Sequence, residues 1–182
     1  MNPKTYYITT PLYYVNAKPH IGHAYTNVLC DTFARYHKLR GEKVFFLTGT
    51  DEHGTKIEKV ARAENKEPRA YVDAMVPEFK SLWKTLGIEY DYFIRTTDED
   101  HKKVVNLVLK DLEAKGEVYR STYTGWYCTP CESFWTEMQL KEGKCPDCGR
   151  EVQKLSEDNY FFKLSKYQDW LIQYINERPD FY

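Results

Sequence analysis

The sequence predicts an α/β protein: a parallel sheet followed by a small metal-bound appendage. Three observations carry this. The first 48 residues alternate as strand, loop, helix and strand, the pattern of a βαβ unit. Composition shifts near residue 117, after Gly116, and two Cys-x-x-Cys pairs follow. The length of 182 residues suits one domain plus an attachment.

The first strand is Thr5 to Thr10, rich in β-branched and aromatic residues and ended by Pro11. A loop punctuated by Asn16 and Pro19 leads to a helix. There Ile21, Tyr25, Val28, Leu29, Phe33 and Tyr36 recur at helical intervals, and Gly41 stops the run. Val44 to Thr48 is a short apolar run of the kind a covered parallel sheet uses, joined to the first strand by a right-handed crossover. Ile57, Val60 and Ala61 mark a short helix. Pro68 opens a longer one through Tyr71, Met75, Phe79, Leu82, Trp83 and Leu86, with Pro77 threatening a kink. Trp83, on that stripe, reads as core. Tyr92 to Ile94 forms a third strand, and Asp98 caps a helix that Gly116 closes. Beyond the boundary, Val118 to Tyr127 alternates as in a hairpin, Tyr160 to Phe162 forms a strand, and a last helix carries Trp170, Leu171, Tyr174 and Ile175. The domains are therefore 1–116 and 117–182.

Composition excludes several classes of function. Lys and Arg number 26 against 27 Asp and Glu, which argues against a polybasic binder. Charged residues at 29% and hydrophobic residues at 42% allow a core, but a thin one. No apolar run approaches the roughly 18 residues of a membrane span, and Met1 to Lys4 lead straight into the first strand without a signal peptide. The expectation is a cytoplasmic protein.

Pro19-His20-Ile21-Gly22-His23 lies where the first loop becomes a helix. A helix N-terminus carries unpaired N–H groups and about half a positive charge, which together cradle phosphate. Gly22 lets a nucleotide approach the backbone, and the imidazoles of His20 and His23 can donate to phosphate oxygens. Thr48-Gly49-Thr50-Asp51-Glu52-His53-Gly54 leaves the second strand at its C-terminal end, where open sheets bind ligands. Asp51 is placed to pair with a substrate ammonium. Glu52 and His53 make a weaker acid–base pair.

Cys128-Thr-Pro-Cys131 and Cys145-Pro-Asp-Cys148, thirteen residues apart, supply four thiolates for one tetrahedral zinc. Four protein ligands leave no open position, so that zinc is structural. Cys30 stands alone and reads as a small buried hydrophobe.

The stretch from Thr10 to His23, the run Phe46 to Gly54 and the segment Asn159 to Tyr167 resemble the N-terminal catalytic portion of the methionyl-tRNA synthetase family, along essentially the whole chain. The resemblance implies a Rossmann-like fold with a zinc-knuckle insertion that activates methionine with ATP and Mg²⁺ and transfers it to tRNA(Met). It implies methionine binding by Asp51, Leu12 and Tyr14, with Pro11 at a position that is small or alanine in many members. The family's second signature, Lys-Met-Ser-Lys-Ser, is not found. Lys163-Leu-Ser-Lys166 looks superficially like it, but its position beside the zinc insertion argues against equivalence. The chain is expected to be a fragment, weak or inactive alone, with the remaining C-terminal part as partner. Two alternatives stay open: a zinc-ribbon nucleic-acid-binding module, and another nucleotidyltransferase of the same superfamily.

Overall fold

A computed structural model describes residues 4–180. Its contacts divide the chain into a first unit ending at Lys103 and a second beginning at Val104. The division falls inside the helix Glu99–Ala114, whereas the compositional boundary at Gly116 lies just past that helix's end.

The first unit contains β1 (Thr5–Thr9), β2 (Tyr13–Tyr14), α1 (Ile21–Leu39), β3 (Lys43–Asp51), α2 (Thr55–Ala63), α3 (Pro68–Thr85) and β4 (Tyr92–Arg95). All strand pairs are parallel. β1 runs along β3 from Thr5 opposite Lys43 to Thr9 opposite Leu47. The Thr10 N–H extends the ladder to the Leu47 carbonyl. Pro11 has no N–H, so the ladder breaks there and resumes as β2, with Tyr13 opposite Thr50 and Tyr14 opposite Asp51. The sequence reading placed a loop here. β4 takes the other edge of β3, because Leu47 pairs with both Thr9 and Tyr92, and Thr50 with both Tyr13 and Arg95. Gly49 makes that edge possible: a Cβ there would lie 2.0 Å from the Ile94 carbonyl oxygen.

The core of this unit is Val15, Phe46, Ile57, Val72, Phe79 and Trp83, each less than 2% exposed. Each such side chain contributes roughly 1.5–3 kcal/mol. Pro77 does not break α3, which is helical from Pro68 to Thr85. Pro77 lies on the exposed side with Asp73, one turn before it, while Val76, Phe79 and Trp83 hold the buried side. α1 forms where expected but presents another face. Its buried residues are Asn27, Cys30, Asp31 and Ala34, and the apolar stripe of Ile21, Tyr25, Val28, Leu29, Phe33 and Tyr36 is exposed.

The second unit continues α4 (Glu99–Ala114) into β5 (Val118–Cys128), β6 (Ser133–Trp135), β7 (Gln153–Phe162) and α5 (Gln168–Glu177). The expected hairpin at 118–127 is a single strand. It pairs antiparallel with β6 on one edge and β7 on the other. Rings line one face, with Tyr119 beside Phe161 and Tyr123 and Tyr127 beside Phe134. Asp98 precedes α4 as expected and its carbonyl accepts from Lys102, but its carboxylate turns back to the Arg95 N–H. No residue of α4 is buried. Among the described residues, no helix is long and apolar enough to cross a membrane.

Candidate functional site

Parallel strands bring the C-terminal ends of β1, β2, β3 and β4 to one edge of the sheet, and the start of α1 lies there too. The first turn of α1 is capped by its own histidines. His20 occupies the capping position, and its Nδ1 accepts from the Gly22 N–H at 3.1 Å. His23 Nδ1 accepts in return from the His20 N–H at 3.2 Å. The rings stack with centroids 3.8 Å apart. This is a capping box in which two imidazoles replace the usual Ser and Glu.

The cap fixes the chemistry of both rings. Each Nδ1 accepts, so the neutral tautomer carries its proton on Nε2, and Nε2–H is the donor left over from the cap. A protonated ring would present N–H at Nδ1 and break the cap. Burial, helped by the neighbouring His20, holds His23 below its ordinary value of 6.5, which favours the neutral form. Gly22 serves this arrangement directly: a Cβ there would meet the His20 ring at 3.0 Å. The space expected to admit a ligand to the backbone is thus taken by His20.

β2 links the imidazoles to the end of β3. The Tyr13 ring stands edge-on to His23, with centroids 4.8 Å apart. Its neighbour Tyr14 pairs with Asp51 in the ladder and donates its hydroxyl to the His53 carbonyl at 2.7 Å. Asp51 is half-buried at the strand end, and Pro11 and Leu12 are exposed at the ladder break. The structure therefore gathers Pro11, Leu12, Tyr14, His20, Gly22, His23 and Asp51 in one unit around the strand ends.

Glu52 has a different task from acid–base work. Its carboxylate is fully buried and takes two hydrogen bonds from Arg95, at 2.7 and 2.9 Å. It also accepts from Thr50 Oγ1 at 2.6 Å and Thr97 Oγ1 at 2.5 Å, while its own N–H donates to Thr96 Oγ1. Burial pushes this carboxyl up, but Arg95, Thr50 and Thr97 outweigh it, leaving it below its ordinary 4.5. Glu52 ties the residue after Asp51 to the end of β4. His53 Nε2 lies 3.2 Å from the Thr96 carbonyl, on the same clasp. Sequence reasoning missed Arg95, Thr96 and Thr97, because no local pattern joins them to residues 40 positions earlier.

In the second unit, the cysteine sulfurs all lie within 4.8 Å of one another. Cys128 and Cys148 are 3.6 Å apart, and Cys131 and Cys145 are 3.9 Å apart. A tetrahedron with bonds of about 2.3 Å has edges of about 3.8 Å, so the four thiols fit one metal ion. All are free thiols. Burial pushes the Cys145 thiol up, but N–H groups of Cys148 and Asp147 and the adjacent thiols bring it down to about 7. The turn closes with the Gly149 N–H on the Cys145 carbonyl and the Cys145 N–H on the Arg150 carbonyl. At the other end of β5, Lys163 donates to the Gly116 carbonyl and Lys166 to the Glu117 carboxylate.

A parallel sheet whose strand ends meet a histidine-capped helix, followed by four thiols that could hold a metal ion, defines an α/β protein with a Rossmann-like sheet and a cysteine-cluster module. The model of the family "tRNA synthetases class I (M)" matches residues 6–157, and the chain belongs to that family. It is 56% identical over 178 residues to the methionine–tRNA ligase of Caldanaerobacter subterraneus subsp. tengcongensis, and 57% identical over 178 residues to that of Clostridium acetobutylicum. In both cases the match covers 98% of this chain and 28% of the relative, so the chain spans just over a quarter of their length. It also resembles the Mycobacterium tuberculosis methionyl-tRNA synthetase solved with methionyl-adenylate. There the TM-score is 0.90 at 39% identity, covering 98% of this chain and 36% of that one. A LeuRS structure from Agrobacterium radiobacter K84, at 23% identity and TM-score 0.77, shares the fold.

Proposed function

We propose that this chain is the N-terminal part of a methionine–tRNA ligase, and that it supplies the ATP and methionine subsites for methionyl-adenylate formation. The observation that carries this is the double-imidazole cap, which commits both Nδ1 atoms to the helix's own N–H groups and leaves both Nε2 atoms free of the cap at a helix N-terminus. The Mycobacterium tuberculosis relative, solved with methionyl-adenylate, supports the same substrates.

The reaction needs little proton chemistry from the protein. The methionine carboxylate attacks the α-phosphorus of Mg²⁺-bound ATP; an oxygen–phosphorus bond forms and pyrophosphate leaves. The terminal ribose hydroxyl of tRNA(Met) then attacks the acyl carbon and AMP departs. His20 and His23 donate to the nucleotide, with Gly22 leaving room for the His20 ring. Asp51 pairs with the methionine ammonium, and Pro11, Leu12 and Tyr14 form part of the side-chain pocket. Glu52, already saturated by Arg95 and two threonines, holds Asp51 in place. Neutral donors stabilise charge that grows on phosphorus without binding it as a fixed ion pair in the ground state.

Residues 1–116 are read as the first half of the catalytic domain and 117–182 as the insertion. Cys128, Cys131, Cys145 and Cys148 would hold one Zn²⁺, which when bound supplies structure and no open coordination position. The remaining part of the synthetase is the partner, in a cytosol that keeps the thiols reduced.

The test replaces the matching segment of the Clostridium acetobutylicum enzyme with this chain and follows methionine-dependent ATP–pyrophosphate exchange. The chimera is expected to be active, and His23→Ala to lower its rate by about 10²–10³, as loss of an oxyanion donor does. An unchanged rate in His23→Ala would overturn the assignment.

A further inference from the structure

We propose that Tyr13, anchored by Asn27, is a positioning residue for His23: it holds the imidazole in the one ring orientation that keeps Nδ1 on the His20 N–H and reserves Nε2–H for a ligand. The inference rests on the reading of His23 given above and deepens it.

Tyr13 is 5% exposed although it carries a hydroxyl. Its ring meets that of His23 edge-on, at 4.8 Å between centroids. The stacked His20 ring is 3.8 Å away and Phe79 5.5 Å away, so three rings surround the imidazole. His20 is exposed, whereas Tyr13 is buried. The wholly buried Asn27, one helical turn beyond His23, donates from Nδ2 to the Tyr13 hydroxyl at 2.6 Å. The same Nδ2 lies 3.4 Å from the His23 carbonyl. One amide therefore joins the backbone of His23 to the ring that packs against its imidazole.

Such a polar pair has a cost in a core that apolar residues would fill equally well. A buried amide or hydroxyl left unpaired loses several kcal/mol, and even here the Asn27 Oδ1 has no hydrogen-bond partner. What the pair adds is direction. A half-turn of the imidazole about its bond to Cβ would take Nδ1 away from the His20 N–H and point Nε2–H elsewhere, and the edge of Tyr13 opposes that turn. Burial also pushes the Tyr13 hydroxyl up to about 12, with Thr10 and Thr26 opposing, so the ring places no negative charge beside the phosphate site.

The experiment uses this chain with ¹⁵N-labelled histidine rings. In the wild type, NMR is expected to show His23 with a protonated Nε2 and a bare Nδ1. Tyr13→Phe keeps the ring and removes its anchor. His23 should then average between tautomers, and its titration midpoint should move up toward the ordinary 6.5. ATP titrated into the same samples should bind about fivefold more weakly, the factor corresponding to one hydrogen bond of about 1 kcal/mol. Asn27→Ser makes the same test with the tyrosine intact, should Tyr13→Phe fold poorly. If either variant lowers thermal stability while the tautomer and midpoint of His23 stay fixed, Tyr13 is merely a packing residue and the proposal fails. If His23 responds but the wild type binds no ATP, the positioning stands and the nucleotide reading fails.

Discussion

The two units solve the same stability problem by different means. The first has a continuous core: Val15, Phe46, Ile57, Phe79 and Trp83 are each 1% exposed or less. In the second, the buried apolar side chains among the described residues are Cys128 and Cys145. Its rings lie along an open sheet face, and α4 and α5 bury nothing. A module of this size without a core needs another source of stability, and four convergent thiols supply it once a metal binds. The contrast teaches that the first unit's geometry follows from packing, whereas the second unit's would follow from coordination of a metal by its four thiols.

The sharpest way to break this comparison is to remove the metal. Binding of zinc to such a site is worth on the order of 10 kcal/mol, more than a small module's own stability. A chelator, or Cys145→Ser, should abolish amide-exchange protection in β5, β6 and β7 while β1, β3 and α3 stay protected. Equal protection before and after would mean that the aromatic face holds the second unit unaided. The converse perturbation is Phe79→Ala. Its ring is fully buried and lies against His23, Tyr13 and Trp83, so about 3–5 kcal/mol should be lost. Urea melts followed by exchange should show that loss in the first unit and not in the metal-bound sheet.

What was legible in the sequence follows the same division. Local patterns gave the βαβ order, the helix that runs through Pro77, and the cysteine spacing, because strand, helix and ligand signals are all short-range. The face of α1 was not legible. Its apolar stripe marks helical period but is exposed, while the buried side carries Asn27 and Asp31, whose distant partners Tyr13 and the Glu89 N–H are fixed only by the fold. In the same way, the histidine turn and Asp51 could be singled out by residue type, but the clasp around Glu52 could not. Arg95 and Thr97 reach it from β4 and the turn beyond, and no spacing rule connects them. β2 was missed because two residues between a proline and a loop carry too little pattern to read as a strand.

A smaller effect sharpens the view that the first unit positions its site by internal bonds. Glu52→Gln removes one of the two carboxylates that hold Arg95, only 16% exposed, leaves Asp73 as its remaining charge partner, and should cost about 1.5–3 kcal/mol, as loss of a hydrogen bond to a charged group does. The pH dependence gives the sign. Glu52 titrates below 4.5 in the folded state, so its contribution is complete above that value and is lost as pH falls through the lower folded value. The gap between wild type and Glu52→Gln should therefore close on acidification below about 4.5. His23 adds an earlier loss: its folded value lies below 6.5, so the stability due to its neutral form is present above 6.5 and declines as pH falls. Thermal melts between neutral pH and pH 4 should show this decline in the wild type and a weaker one in His23→Ala.

The smallest expected change separates stability from site geometry. Tyr14→Phe removes one hydrogen bond, from a half-buried hydroxyl to the His53 carbonyl, and should lower stability by about 1 kcal/mol or less. Yet that bond holds β2 to the loop beyond Asp51, the stretch that the Glu52 clasp grips from the other side. If the first unit places Asp51 by two independent tethers, Tyr14→Phe should leave amide protection across β3 almost unchanged and raise exchange at His53 and Gly54. If the clasp alone suffices, exchange there will not move, and Tyr14 acts only through the face of its ring. Because the global cost is so small, either result reports on the local tether and cannot be mistaken for general destabilisation.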